Sequence, residues 1–274
     1  MPLYNLKIIK CGNRLEIYKV NNYVIRECRK RDPVQIEDEQ EEQHKEKQEQ
    51  SKKDRLRNLT DARNNIIRLI KCNPDMQTFI TLTFAKEQDY KQSKIALNVL
   101  FTKLRKDYSD LKYLWVLEYG EMNSRLHYHV LCNIEIDIKL SNSNEKKSID
   151  HKQLEQDFKA RYWKYGFVDI RQLQEEGNTN IALYVSTYIV KSLENLNLEG
   201  YRVYGYSRKT LDKPVEQKLF ATDRIEDVLK AYSEDYIINY SNSYRIGYTS
   251  KGEEHKGIVT YFDMQLKECV NNEN

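Results

Sequence analysis

The chain has 274 residues, a formal net charge of +3 and 39% hydrophobic residues, enough for one large domain or a core domain with extensions. It contains no apolar run of the roughly 18 residues that a membrane helix needs, and no signal-peptide pattern, so we expect a soluble intracellular protein. Its five cysteines are scattered without a Cys-x-x-Cys pair, which argues against a disulfide framework or a zinc knuckle.

The N-terminal part predicts a β-hairpin followed by a long helix. Apolar and polar residues alternate over residues 3–26, with a turn at Gly12-Asn13, and Pro33 ends this segment. Residues 35–72 lack Gly and Pro and are rich in Glu, Gln, Lys and Arg, which favours a long helix. The second half of this helix has an apolar stripe that can pack on a core, formed by Leu56, Leu59, Ala62, Ile66, Leu69 and Ile70.

Charge is unevenly distributed along this predicted helix. Residues 37–49 are strongly acidic, whereas residues 52–71 are basic. The basic stretch could contact a phosphate backbone; alternatively, both stretches are solvated faces of one helix.

The central part alternates between strand and helix patterns. The predicted elements are a strand over 79–84, a helix over about 91–107, strands at Tyr113–Tyr119 and Leu126–Ile134, a helix over about 151–164 and a strand at Phe167–Leu173. This β-α-β-β-α-β order predicts an α+β fold with a ferredoxin-like (RRM-like) antiparallel central sheet and helices on one face. A tyrosine-bearing helix over about 179–194 follows directly.

The remainder predicts a C-terminal α/β extension. Its expected elements are strands at Tyr201–Tyr206, 236–248 and 257–266 and a short helix over 223–232. Tyrosines recur every four residues at positions 232 to 248 and would share one face of a strand, where packing is favoured over base stacking. The phosphate-binding Gly-x-x-x-x-Gly-Lys-Ser/Thr motif is absent, which excludes a built-in ATP-driven helicase. We therefore divide the chain into segments 1–34, 35–76, 77–195 and 196–274.

Two histidines on one predicted strand form the strongest candidate site. Since strand side chains alternate, His127 and His129 point the same way, roughly 7 Å apart. If residues 120–125 close the hairpin, Glu118 lies opposite His127, and a shift of two residues places it opposite His129. Two imidazoles and one carboxylate suit Mn²⁺ or Mg²⁺ acting as a Lewis acid, with Glu121 a weaker ligand candidate. The alternative is two histidines on a solvated sheet face.

The second candidate is a set of tyrosines on the helix that follows. Tyr184, Tyr188 and Lys191 share one face, because positions i, i+4 and i+7 of a helix are neighbours. Tyrosine is a poor nucleophile at its free pKa near 10, so it needs a nearby cation or a polarised electrophile, and Lys191 could offset the charge. Because the chain has 21 tyrosines, a packed, hydrogen-bonded pair is the alternative. The neighbouring stripe that can pack on the sheet consists of Ile181, Val185 and Ile189.

Three motifs occur in the order found in a known superfamily. Residues 80–84 resemble its first motif, residues 118–129 its metal motif and residues 184–191 its nucleophile motif. The chain thus resembles the HUH endonucleases and, among them, the rolling-circle replication initiators of phages and plasmids that use two tyrosines. The resemblance covers residues 78–192 and marks 77–195 as an HUH nicking endonuclease domain.

The resemblance implies a reaction and its partners. Tyr188, aligned with Lys191, would attack a phosphodiester of single-stranded or melted origin DNA with help from a metal held by His127, His129 and Glu118. The products would be a 5′-phosphotyrosine link and a free 3′-OH, and reversal would rejoin the strand. Such a nickase-ligase would work with a host helicase and polymerase in the bacterial cytoplasm.

The departure from the family pattern concerns the nucleophile helix. Thr187 stands where the family often has lysine, which leaves one of two possible catalytic lysines and argues against symmetric use of both tyrosines. Tyr188, aligned with Lys191 as Tyr-x-x-Lys, is the first candidate nucleophile and Tyr184 the second.

Basic residues outside the motifs are predicted to hold DNA. They are Arg125, Arg202, Arg208 and Lys209. The last three lie among tyrosines in the segment Tyr201–Lys209, a composition that suits phosphate contacts and base stacking, although an ordinary sheet edge is the alternative.

Two other function classes fit parts of the pattern. A plasmid mobilisation relaxase or a single-strand transposase would use the same chemistry. A non-catalytic nucleic-acid-binding module is the third interpretation, since RNA-recognition domains share the β-α-β-β-α-β order.

Overall fold

The computed structural model describes residues 3–21, 25–26, 60–120, 125–141, 145–173, 181–194, 201–221, 224–250 and 253–267. The chain divides into two compact units: unit A is Lys47–Asp212, and unit B combines Met1–Glu46 with Lys213–Asn274. No helix within the described ranges is long and apolar enough to cross a membrane. The four segments proposed from the sequence stay a prediction about domain boundaries.

The elements follow the predicted order closely. In chain order they are β1 (Leu3–Tyr4), β2 (Leu6–Cys11), β3 (Arg14–Asn21), β4 (Ile25–Arg26), α1 (60–71), β5 (Thr78–Phe84), α2 (Tyr90–Asp107), β6 (Tyr113–Tyr119), β7 (Leu126–Cys132), α3 (Ile149–Tyr162), β8 (Gly166–Gln172), α4 (Ile181–Glu194), β9 (Tyr204–Tyr206), β10 (Val215–Leu219), α5 (Ile225–Lys230), β11 (Tyr236–Ser250) and β12 (Glu253–Leu266). From β5 to β8, each end differs from the predicted one by at most two residues. The predicted helical residues 35–59 and the turn residues 121–124 lie outside the described ranges.

Unit A is built on a five-stranded antiparallel sheet with the order β8-β5-β7-β6-β9. Strand β7 lies between β5 and β6, because the first strand of the β-α-β-β-α-β series pairs with the third and fourth rather than with the second. The predicted α+β class with a central antiparallel sheet is therefore confirmed. Strand β9 extends the sheet beyond β6.

The sheet of unit A is covered on both faces. The crossover helices α2 and α3 pack on one face, in a core that includes Leu82, Leu97 and Tyr128. Helices α1 and α4 pack on the other face against Phe79 and Val116. The described part of the predicted apolar stripe in α1 is buried, namely Ala62, Ile66, Leu69 and Ile70. In α4, Ile181 and Val185 are buried as expected, while the side chain of Ile189 lies outside the described part.

Local signals in the sequence fix where the crossover helices begin. Asp89 caps α2 by accepting a hydrogen bond from the backbone N–H of Gln92 (2.8 Å). Ser148 caps α3 by accepting from the N–H of His151 (3.2 Å). Such caps satisfy N–H groups that have no partner within the first helical turn.

Unit B is built on a second antiparallel sheet, with the order β10-β2-β3-β12-β11. The predicted N-terminal hairpin is present: β2 pairs with β3 through a turn at Gly12, which has a positive φ of 54° that glycine adopts without strain. Helix α5 packs on one face of this sheet, where Val228 joins Leu15, Ile17 and Met264 in a core. The hairpin therefore shares its sheet with strands from the other end of the sequence.

Two expectations for unit B were wrong or incomplete. The tyrosines at 232–248 do not share one strand face: Tyr232 precedes β11, and a bulge between Ile238 and Tyr240 reverses the alternation, so Tyr236 is buried while Tyr240 is exposed. Strand β10 was not predicted, because it is a short edge strand with charged, exposed side chains and no apolar alternation.

Truncating a core residue of α2 tests the packing of unit A. Leu97→Ala should lower the free energy of unfolding by roughly 2–5 kcal/mol, since Leu97 is 0% exposed. Ile95→Ala on the same helix, where Ile95 is 54% exposed, should change it by less than about 0.5 kcal/mol. Urea unfolding followed by tryptophan fluorescence reports on this unit, because Trp115 and Trp163 both lie in it. Equal losses of stability in the two variants would contradict the assigned packing.

Candidate active site

The strand register of unit A places the predicted polar residues on one face. Glu118 of β6 pairs with His127 of β7, which is the first of the two registers expected from the sequence. His127 in turn pairs with Thr83 of β5, and His129 pairs with Thr81. These residues lie on the face covered by α1 and α4, because they alternate with side chains of the opposite core such as Leu82 and Tyr128.

Threonine hydroxyls orient both imidazoles. Thr83 Oγ1 lies 2.9 Å from His127 Nδ1, and Thr81 Oγ1 lies 3.2 Å from His129 Nδ1. Each hydroxyl can donate to an unprotonated Nδ1 or accept from a protonated one. With Nδ1 engaged, the Nε2 atom of each ring is the nitrogen directed elsewhere in the site.

Glu118 connects the histidines to the helix that carries the tyrosines. One carboxylate oxygen lies 2.5 Å from His129 Nε2, and the other lies 3.9 Å from Lys191 Nζ. The hydrogen bond with His129 holds the pKa of Glu118 below its usual range, with further help from the charges of His129, Lys191 and His127 and against the opposing effect of burial. Glu118 is therefore an anion at neutral pH.

Burial keeps His127 neutral. Desolvation is the main cause that lowers its pKa; the charges of His129 and Arg125 act in the same direction, and that of Glu118 opposes them. Arg125 lies beside this site, where its carbonyl accepts a hydrogen bond from the N–H of Gly120 (2.8 Å). A Cβ added at Gly120 would lie 2.6 Å from His127 Nε2, so any other residue at this position would displace the His127 ring.

The two tyrosines of α4 meet the histidines on this face. Their hydroxyls are 2.7 Å apart, and the ring of Tyr188 lies 4.0 Å from that of His129, centroid to centroid. Phe79 contacts all three rings: it stacks on His129 at 5.6 Å and lies 5.6 Å from Tyr184 and 5.7 Å from Tyr188. Tyr184, Tyr188, Lys191, His129 and Glu118 thus form one connected group.

The two tyrosines have different surroundings. Tyr184 is 41% exposed, whereas Tyr188 is half-buried. Burial raises the pKa of Tyr188 above its usual value, and the Tyr184 hydroxyl and the charge of Glu118 add to this rise. The Tyr188 phenol is therefore protonated at neutral pH, and its ionisation needs positive charge close by.

The residue types of this site include common ligands of divalent metals. Two imidazoles and a carboxylate are ligands that Mn²⁺, Mg²⁺ and similar ions accept, and a histidine that binds metal through one nitrogen is commonly held by a hydrogen bond at the other. Across the described residues, no three His, Cys, Asp or Glu side chains are gathered as a metal site, and Glu118 is hydrogen-bonded to His129. Metal binding at these residues would have to replace that hydrogen bond.

The other predicted DNA contacts lie elsewhere. Arg202, Arg208 and Lys209 line a cavity of about 720 Å³ at the β9 edge, together with Lys94 and Trp115. Trp115 belongs to the core under α2 and α3, so this cavity lies on the side of the sheet away from His129 and Tyr188. The structure therefore places Arg125 beside His127 and the other three basic residues away from the candidate site.

Several contributors were missed from the sequence. Thr81 and Thr83 had a recognisable signal, because two threonines two residues apart match the spacing of the two histidines. Phe79 and Gly120 had none, since their role depends on which rings come close in three dimensions. Lys94 also had no signal, because it comes from a helix remote in sequence from the 201–209 segment.

A comparison with protein families agrees with this architecture. Unit A is an α+β unit that combines an antiparallel sheet, a histidine pair and a helix with two tyrosines. Residues 77–193 match the family of the replication-associated protein ORF2/G2P. The match begins one residue before β5 and ends within α4, so it includes the whole histidine and tyrosine group. It supports a replication initiator of the phage or plasmid type. No curated protein and no solved structure matches the chain.

The depressed pKa of Glu118 makes stability depend on pH. A carboxyl with a lowered pKa contributes stability that is fully present above its ordinary pKa of 4.5 and is lost as the pH falls through the folded-state value. The stability difference between wild type and Glu118→Gln should therefore be smaller under acid conditions than near neutral pH. Urea unfolding of both proteins over this range measures it. A difference that does not change with pH would contradict the assigned interaction.

Proposed function

We propose that this chain nicks and rejoins single-stranded or melted DNA at a replication origin through a tyrosine–DNA intermediate. The phenol oxygen of Tyr188 forms a bond to phosphorus, the bond from phosphorus to the 3′ oxygen breaks, and the phenol proton leaves. The 3′ oxygen takes up a proton, which gives a free 3′-OH and a 5′-phosphotyrosine link. Attack of that hydroxyl on the link reverses these changes and rejoins the strand.

The observation that carries the proposal is the contact between the tyrosine pair and the histidine pair. The hydroxyls of Tyr184 and Tyr188 are 2.7 Å apart, and the ring of Tyr188 lies against His129, whose Nε2 is bonded to Glu118. A tyrosine pair that only stabilised the fold would not require His127, His129 and Glu118 on the sheet face that it covers. The match of residues 77–193 favours replication over plasmid mobilisation or transposition, which the same chemistry could serve.

A divalent metal, Mn²⁺ or Mg²⁺, is the expected cofactor, with His127, His129 and Glu118 as its ligands. When bound, such an ion acts as a Lewis acid that draws electron density from a phosphodiester oxygen. Thr81 and Thr83 hold the two rings in orientation through their Nδ1 atoms. Gly120 leaves room for the Nε2 side of His127.

Other residues act on the nucleophile itself. Lys191 lies on the same side as Glu118 and can offset negative charge on the phenolate or on the phosphate under attack. Phe79 packs against both tyrosines and His129, which limits the positions available to the rings. Tyr184 is the second candidate nucleophile, because its hydroxyl is close enough to Tyr188 to reach the same phosphate.

A sheet-face RNA-binding module is less consistent with the fold. RNA-recognition domains stack bases on exposed aromatic residues of the sheet. In unit A, α2 and α3 pack on one face, and α1 and α4 on the other. The residues of the central strands that face α4 are histidines and a carboxylate rather than a row of exposed aromatic rings.

The proposed reaction defines the partners. The free 3′-OH can prime a host polymerase, and strand separation would need a host helicase, since the chain lacks a phosphate-binding ATPase motif. With these partners, the proposed reaction would occur in the cytoplasm of a bacterial host.

Replacing the tyrosines tests the nucleophile. Incubated with Mn²⁺ and single-stranded origin oligonucleotides, wild-type protein should form a covalent adduct on a denaturing gel, with the modified residue mapped by mass spectrometry. Tyr188→Phe should reduce the adduct far more than Tyr184→Phe, and the double variant should form none. Tyr244→Phe is the matched control, since Tyr244 is 44% exposed but lies in unit B. Adduct formation by the double variant would refute the assignment.

Replacing the two histidines tests the proposed metal site. His127→Ala with His129→Ala should abolish both Mn²⁺ binding, measured by calorimetry, and adduct formation. Gly120→Ala retains all three ligands but displaces the His127 ring, so it should weaken both properties in parallel. Thermal unfolding of each variant shows whether the fold is retained. A folded double-histidine variant that still forms the adduct would exclude the proposed metal site.

A further inference from the structure

The cavity at the β9 edge of unit A is lined by five basic side chains. They are Lys94, Arg105, Arg202, Arg208 and Lys209. Among the residues that the structure describes, no carboxylate lines this cavity, whose volume is about 720 Å³. A cluster of like charges is unfavourable by itself, so its free energy improves when an anion binds.

These cations are not engaged in structural ion pairs. Within the described part of the chain, none of the five contacts a carboxylate; Arg105 donates to the hydroxyl of Tyr113 and Arg202 to the carbonyl of Tyr204. Nearby Lys112 shows the opposite situation, since it contacts both Asp75 and Asp212. The cavity therefore keeps positive charge that the fold does not neutralise.

The position of Lys94 is set by its surroundings. Its ammonium lies 3.6 Å from the ring centroid of Trp115, a cation–π contact on the cavity floor. Trp115 is only 5% exposed and lies directly over Gly205, where a Cβ would come within 2.7 Å of the indole. Burial, followed by the charge of Arg202, lowers the pKa of Lys94 to about 8. A half-buried ammonium held against a fixed ring is a prearranged group, unlike a freely mobile surface lysine.

We propose that this cavity binds the phosphodiester backbone of a DNA strand at a second site, separate from the tyrosines and on the other side of the sheet. The inference rests on the proposed function and adds Lys94 and Arg105 to its DNA contacts. The planar guanidinium group of arginine can donate two parallel hydrogen bonds to phosphate oxygens. The volume of the cavity exceeds that of a single phosphate group. Because Trp115 is buried beneath Lys94, its ring offers no face for base stacking, and the basic side chains would contact the backbone, which carries no base sequence information.

The location gives this site a role in holding the substrate. Strand β9 is the terminal strand of the sheet within the described residues, and its Tyr206 both lines the cavity and packs against the core under α4. A strand bound in the cavity and at Tyr188 would pass around this edge. The DNA next to the cut would then stay bound to unit A independently of the covalent link.

Equilibrium binding tests the second site. Fluorescence anisotropy with a labelled, mixed-sequence single-stranded oligonucleotide is measured in EDTA over a series of salt concentrations. Lys94→Gln with Arg208→Gln should weaken binding and reduce the slope of log K against log salt by about 1.4, or about 0.7 for each phosphate that the protein no longer neutralises. Lys103→Gln is the control, because it removes a charge from the same helix, where Lys103 instead donates to the carbonyl of Arg161.

The pH dependence isolates Lys94. Wild-type affinity should fall as the pH rises through about 8, because the free ammonium then loses its proton. The other charged or titratable side chains facing the cavity are Arg105, Arg202, Arg208, Lys209, Tyr113 and Tyr206. Lys94→Arg should keep the affinity and remove the decline that Lys94 causes, since arginine stays charged over this range.

Three outcomes would overturn the inference. One is DNA binding by the Lys94/Arg208 double variant with the affinity and salt slope of Lys103→Gln. Another is a pH profile that Lys94→Arg leaves unchanged. The third is binding of a free deoxynucleoside triphosphate in the cavity without competition by DNA, which would assign the site to a mononucleotide. Binding is measured without metal, so a wild-type protein that binds DNA in this way but forms no adduct would refute the nicking proposal alone.

Discussion

The register between β6, β7 and β5 is the constraint on which the candidate site depends. It places Glu118 and Thr83 on either side of His127. Between the two histidines, Tyr128 points to the opposite core, where it is fully buried and its hydroxyl lies 2.9 Å from Ser93 Oγ. A shift of one residue in the register of β7 would place the histidines in the core under α2 and α3 and move Tyr128 to the opposite face of the sheet. The apolar core therefore enforces the arrangement of the polar residues.

The second constraint is the aromatic packing between the sheet and α4. Phe79 is buried and touches His129, Tyr184 and Tyr188, so the helix cannot rotate without breaking several ring contacts at once. This packing also makes the tyrosines unequal: one ring lies against an imidazole near a carboxylate, and the other reaches solvent. Two identical side chains four residues apart thus differ in their contacts and in their access to solvent.

The sequence predicted most elements of both units, but it did not predict which strands of unit B pair with one another. Strand alternation around His127 and His129 and the helical spacing of Tyr184 and Lys191 are local patterns, and they determined which side chains share a face. The choice between two hairpin registers was not local, and the structure selected the one with Glu118 opposite His127. Contacts made by Phe79 and Lys94 depend on tertiary packing and left no periodic signal. In unit B, a single bulge near Asn239 reversed the expected alternation.

The sheet of unit B joins strands that are far apart in the sequence. Strand β3 pairs with β12, so Arg14 contacts Asp263 across 249 positions. During translation, β2 and β3 leave the ribosome long before β10 and β12, and the whole of unit A is synthesised in between. Contacts with such a large sequence separation form slowly, whereas unit A can complete its own core first. The nascent chain would thus acquire its histidine and tyrosine group before its first strands find their permanent neighbours.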